Sequence, residues 1–147
     1  MRATQTVAGT VDEVERRWYD TGRWASWVDG LERVADVSGP WPDPGAVVTW
    51  QSGPAGRGRV VERVVEREPL KGQTSEVSDP SISGRQSVAF APVPGGVEVE
   101  LTLSYRLQRR SPVTPVVDML FIRRAIASSL ETTLARFAHE RDSERGS

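Results

Sequence analysis

The feature that most restricts what this chain can fold into is an unbroken alternation of polar and apolar residues over positions 97–108. Val97, Val99, Leu101, Leu103, Tyr105 and Leu107 interleave with Glu98, Glu100, Thr102, Ser104, Arg106 and Gln108. Period two sustained that long is a strand with one buried face and one wet face. Such a strand needs neighbours on either side and a second layer to cover its apolar face.

The neighbours are readable upstream. Residues 3–8 form a short first strand. LERVADV ends at Ser38-Gly39-Pro40, and a turn rich in proline and glycine, WPDPG, leads into AVVTWQS. GRVVERVVERE stops at Pro69, QTSEVS stops at Asp79-Pro80, and ISGRQSVAFA runs to a VPGG turn. Six or seven strands joined by short turns, with no helix between them, give a mostly antiparallel sheet.

The covering layer comes from helical spacing at both ends. Thr10 opens T-V-D-E, a capping box in which the Thr10 hydroxyl and the Glu13 carboxylate each satisfy the other's amide. Val11, Val14 and Trp18 then fall on one helical face, and Trp24 and Trp27 predict a second short helix. From about Val113 to His139 the spacing is helical again. Val116, Met119, Phe121 or Ile122, Ile126, Leu130, Thr133 and Phe137 make one broad apolar stripe. A helix of about 25 residues is about 38 Å long, enough to run the length of a sheet. The fold class is therefore α+β: a curved antiparallel sheet around a long C-terminal helix, with two short helices after the first strand. Residues 1–141 form the domain, and 142–147 are read as a polar, frayed tail.

A chain of 147 residues suits one domain and buries enough surface to need no staple. It has no cysteine, which excludes disulfides, thiolate metal sites and a cysteine nucleophile. A net charge of −1, with no concentrated basic face, argues against nucleic acid as a partner. No stretch is long and apolar enough for a transmembrane segment, and no signal-like leader is present, so the expected address is cytoplasmic. No histidine or carboxylate pair has metal-ligand spacing, so neither metal nor cofactor is expected. A monomer or homodimer is the expected state.

The chain resembles the START-like, or SRPBCC, superfamily, the helix-grip fold of polyketide cyclase/dehydrase proteins and lipid carriers. The resemblance rests on the T-V-D-E helix opening, the Trp24-Ala-Ser-Trp27 pair, P-D-P-G before a strand, the V-V-E-R-E-P strand end at 64–69, and the long last helix. It extends over about residues 3–140. It implies a ligand pocket between the sheet and the last helix.

Candidate pocket residues follow from that region. Trp27, Trp50, Phe90 and Tyr105 are the aromatic candidates, and Met119, Ile122 and Ile126 come from the helix stripe. Trp50, Phe90 and Tyr105 each read more simply as core, Trp27 and the helix residues fit core and pocket alike, and some of the set must line a pocket of this kind. Trp24 reads as a structural seal, and Tyr105 is the best polar contact because its neighbours in the alternation are aliphatic. On residues 60–67 one face carries Val60, Glu62, Val64 and Glu66, the other Val61, Arg63, Val65 and Arg67. Glu62 or Arg63 inside the pocket would orient a polar ligand group. Cross-strand ion pairing on a solvated edge is the favoured reading, unless a bulge switches the alternation. His139, near the end of the last helix, suits the negative helix terminus better than catalysis.

The expected function is a non-catalytic binding or carrier protein for a hydrophobic small molecule such as a lipid, a quinone or a polyketide-like ring. The alternative is a cyclase or dehydratase in which Glu62, Arg63 or Tyr105 handles protons. A protein-interaction module is the second alternative.

Overall fold

In a computed structural model, residues 1–53, 58–80, 82–107 and 116–145 are described, without the side chains of 107, 116–125 and 145. Strand β1 (Arg2–Val7) leads into helix α1 (Val11–Trp18), a 3-10 turn (Thr21–Arg23) and helix α2 (Trp24–Trp27). Strands β2 (Leu31–Ser38), β3 (Val47–Ser52), β4 (Arg59–Glu68), β5 (Gly72–Ser78), β6 (Ile82–Val93) and β7 (Gly96–Leu107) follow, and helix α3 (Val116–Arg145) closes the order.

The strands form one antiparallel sheet in the order β1-β7-β6-β5-β4-β3-β2. Every neighbour is a hairpin partner except β1, which returns to pair with β7 from Arg2↔Thr102 to Val7↔Val97. The alternation that demanded a sheet is realised as read: Val97, Val99, Leu101 and Leu103 are buried, and Glu98 and Ser104 are exposed. Close strand approach is possible where β6 passes β7 because residue 84 is glycine. A Cβ there would lie 2.1 Å from the Ser104 carbonyl oxygen.

The curved sheet is covered by α3, which packs against β1, β7 and α2. Among its described side chains Ile126, Leu130, Thr133, Leu134, Phe137, Ala138 and Arg141 are buried, spaced three, four or one apart, as one helical face requires. Phe137 stacks on Trp27 at 4.9 Å between ring centroids, and Trp18 lies 4.7 Å from Trp27 and 5.1 Å from Phe137. One side chain from each of α1, α2 and α3 thus meets in a single aromatic cluster. The helix runs on through Arg145. Arg17, Arg23 and Arg141 gather on Glu144 in that last stretch, and Arg141 also holds Glu13 at 3.0 Å.

Helix α1 has the predicted cap, the Glu13 amide donating to the Thr10 hydroxyl at 3.3 Å. Its other anchor is a buried acid. Glu15 accepts from the Leu70 amide at 2.6 Å and from Arg67 at 3.4 Å. Leu70 sits at φ +67°, a left-handed conformation unusual for leucine, and the Glu15 bond helps to hold it there. A register shift between Val64 and Glu66 lets Arg67 reach α1. Before the shift Val60, Glu62 and Val64 point inward; after it Glu66 is exposed and Arg67 turns under the helix.

Candidate functional site

Between the sheet and the helices lies a cavity of about 90 Å³. Its sheet wall is a contiguous patch fixed by strand register. Trp50 stands opposite Val60, Glu62 opposite Val77, Ser75 opposite Gln86, and Val88 opposite Leu101. All eight line the cavity. The helical wall is built from Trp18, Trp24 and Trp27 at one end and from Ile126, Ser129, Leu130 and Thr133 along α3.

Glu62 is a carboxyl set in this wall. Its side chain is buried, and the Trp50 indole N–H donates to one carboxyl oxygen at 2.6 Å. Among the described residues no cation pairs with it. Burial raises its pKa above the ordinary value, with the Trp50 hydrogen bond opposing that rise.

The tryptophans of the interior differ in what their N–H groups do. Trp24 donates to the Trp18 carbonyl at 2.8 Å, and Trp41 donates to the Tyr19 carbonyl at 2.8 Å. Trp27, only 1% exposed, has a buried N–H with no hydrogen-bond partner among the described residues. Other polar wall groups are already engaged: Gln73 donates to the Pro42 carbonyl, Asp79 accepts from the Ile82 amide, and Thr133 accepts from the Asp29 amide.

The residues singled out from the sequence divide accordingly. Trp27, Trp50, Glu62 and Ile126 stand together on the cavity wall. Trp24, read as a seal, is on the wall too. The solvated-edge reading of residues 60–67 is corrected for Glu62, because the bulge lies beyond it and leaves its side chain on the inner face. Arg63 is exposed on the opposite face. Tyr105 is half-buried beside a groove that it shares with Arg63 and is not among the residues that line the cavity. It stands one step beyond Leu103, opposite Gly84. Phe90 packs in the core against Trp18 and Tyr19, 6.2 Å from each, outside the cavity wall. The side chains of Met119 and Ile122 lie outside the described residues. His139 is exposed on α3.

Sequence reasoning passed over Gln73, Ser75 and Gln86. The available signal was the parity of QTSEVS: Gln73, Ser75 and Val77 share one face of the strand, against Thr74, Glu76 and Ser78 on the other.

Among the described residues no cluster of histidines and carboxylates is placed to hold a metal ion, and no helix is long and apolar enough to cross a membrane. A family model described as polyketide cyclase / dehydrase and lipid transport matches residues 1–140. No curated protein matches the chain in sequence. Among solved structures, the Zhui aromatase/cyclase from Streptomyces sp. R1128 is similar with a TM-score of 0.80 at 15% identity, covering 97% of this chain and 92% of that one. TTHA0849 from Thermus thermophilus aligns with a TM-score of 0.77 at 18% identity, over 100% of this chain and 99% of its own. The di-domain ARO/CYC StfQ of the steffimycin biosynthetic pathway gives 0.76 at 15% identity over 100% of this chain. The present chain spans about half, 51%, of that di-domain protein. At such identities the likeness is one of fold.

Proposed function

This chain belongs to the polyketide cyclase/dehydrase and lipid transport family, and on that premise we propose that it binds a small, largely apolar molecule between its sheet and α3, and holds it without converting it. The observation that carries this reading is the wall itself. Aromatic and aliphatic side chains make most of it, and of its polar groups Gln73, Asp79 and Thr133 are engaged in bonds within the protein. A wall of that kind supplies affinity through burial and orientation through one or two contacts. The volume of about 90 Å³ suits a compact ring rather than an extended acyl chain. For comparison, drug-sized ligands occupy roughly 300–1,000 Å³.

The test is mass spectrometry of the purified protein, first native and then denatured, beside a Val60→Phe variant that fills the cavity from β4. A compound released by the wild type and absent from the folded variant supports the reading. Equal retention by both places the compound elsewhere and overturns it.

One observation favours a second reading. Glu62 is a buried carboxyl on the cavity wall, which is where a proton donor of a cyclase or dehydratase would stand. The structurally similar Zhui protein is called an aromatase/cyclase. Recovery of the bound compound unchanged after prolonged incubation supports the carrier; a product of altered mass or ring count supports the enzyme.

A further inference from the structure

A molecule can reach the cavity only by passing its walls, and the helical wall meets solvent along one seam. Val28, Asp29 and Ser129 are the half-buried members of that wall, whereas its three tryptophans, Ile126, Leu130 and Thr133 are buried. Val28 and Asp29 belong to the three-residue connection between α2 and β2, and Ser129 belongs to α3.

The connection is fixed firmly at its ends and lightly in between. Trp27 before it is stacked on Phe137, and Leu31 after it is buried. Asp29 carries the ties across the seam. Its amide donates to the Thr133 hydroxyl at 2.9 Å, and its carboxylate pairs with Arg136 at 3.3 Å. Just before the connection, Ser26 donates to the Glu140 carboxylate at 2.8 Å. Thr133, Arg136 and Glu140 are three and four residues apart, so they form one polar stripe of α3 facing this segment. The Asp29 and Arg136 side chains are 35% and 51% exposed, so water and salt reach the pair and hold it weak. Gly30 ends the connection at φ +80°, which glycine adopts without steric cost, and a Cβ there would meet nothing within 4 Å. Residues 28–30 can therefore swing without displacing the core on either side of them.

We propose that the connection over residues 28–30 is the portal of the cavity, and that Asp29, through Thr133 and Arg136, is its latch. An occupant enters and leaves where the connection lifts off α3. The latch sets how fast it exchanges rather than how tightly it is held. This rests on the cavity being a binding site, as proposed above.

The experiment uses fluorobenzene, a compact apolar ring whose free and bound forms are followed by fluorine NMR. Titration gives the affinity, magnetisation transfer gives the dissociation rate, and the two together give the association rate. Arg136→Gln breaks the ion pair from a residue that does not line the cavity. Both rates are expected to rise about two- to five-fold with the affinity unchanged, the range that one exposed ion pair contributes to a barrier. Asp29→Asn should speed dissociation alike, and the double variant no further, because the two side chains act through one bond. Raising salt from about 0.1 M to about 1 M should quicken exchange more in the wild type than in Arg136→Gln. Arg85→Gln, which loses the exposed pair with Glu76 on the sheet, should leave both rates as they are. An unchanged dissociation rate in Arg136→Gln with fluorobenzene still bound would overturn the latch and leave the cavity standing as a binding site. Faster dissociation with an unaltered association rate would do the same, since the pair would then stabilise the occupied state instead of barring the way. Equal acceleration by Arg85→Gln would reduce the effect to general loosening and also overturn it. If the wild type binds no fluorobenzene, or if binding survives Val60→Phe, both the cavity reading and the latch fall.

Discussion

Replacing Glu62 by glutamine and following stability against pH reads the electrostatics of the cavity in a molecule with no ligand at all. In the folded chain burial holds the carboxyl above its ordinary pKa of 4.5, whereas in the unfolded chain it returns to about that value. Between the two values the folded state keeps a proton that the unfolded state has released. Folding stability from this residue is therefore fully present below the unfolded value and is lost as pH rises through the folded one. The limiting slope is about 1.4 kcal/mol per pH unit for one proton. Glu62→Gln has no proton to lose, and its amide oxygen still accepts from Trp50. Urea denaturation of both proteins from about pH 4 to about pH 9 gives two stability curves, and their difference removes every group the proteins share. The wild-type advantage should shrink with rising pH at up to that slope, then level off once Glu62 is ionised in both states. Trp50→Phe supplies the second arm. It removes the hydrogen bond that opposes the rise, so the decline extends to higher pH, and the lost bond costs about 1–3 kcal/mol. Parallel curves for the wild type and Glu62→Gln across the whole range would refute a Glu62 pKa raised by burial.

Other substitutions test the frame around the site. Gly84→Ala brings a Cβ to 2.1 Å from the Ser104 carbonyl oxygen, so β6 and β7 must separate locally; a loss of about 1–3 kcal/mol in thermal or urea unfolding is expected. Glu15→Ala leaves the Leu70 amide and the Arg67 guanidinium without that acceptor and should cost about 1–3 kcal/mol, more than the loss of the Thr10 cap at about 1 kcal/mol in Thr10→Ala. Tyr105→Phe should leave probe binding in the cavity unchanged, since Tyr105 is absent from its wall; a several-fold loss of affinity would place the hydroxyl inside after all.

How far each of these features can be read from the chain depends on how local its cause is. The strand over 97–107, the Thr10 cap and the stripe Ile126, Leu130, Thr133 and Phe137 follow from periodicity within one element, and the structure has them where the spacing puts them. The orientation of Glu62 is not local. It depends on where the register shift in β4 falls, and that shift between Val64 and Glu66 follows from pairing with β5. Glu15 looks in the sequence like any exposed helical acid, because its partners Arg67 and Leu70 are 52 and 55 residues away. Phe90 shows a further limit. Alternation says which face of a strand a side chain is on, but not how far along the sheet the cavity extends, and Phe90 falls where Trp18 and Tyr19 fill the space.

The return of β1 to β7 has a consequence for the order in which the chain can become a protein on the ribosome. Arg2 has no partner until Thr102 exists, whereas each other strand finds its neighbour in the next hairpin. At about 5–20 residues per second, some 100 residues take about 5–20 s to make. For that interval the first strand waits with its backbone unsatisfied, and α1 and α2 wait with it, so the tryptophans of the cavity stay uncovered until the sheet is nearly whole and α3 arrives. The cavity is therefore assembled last, from segments of the chain made far apart in time.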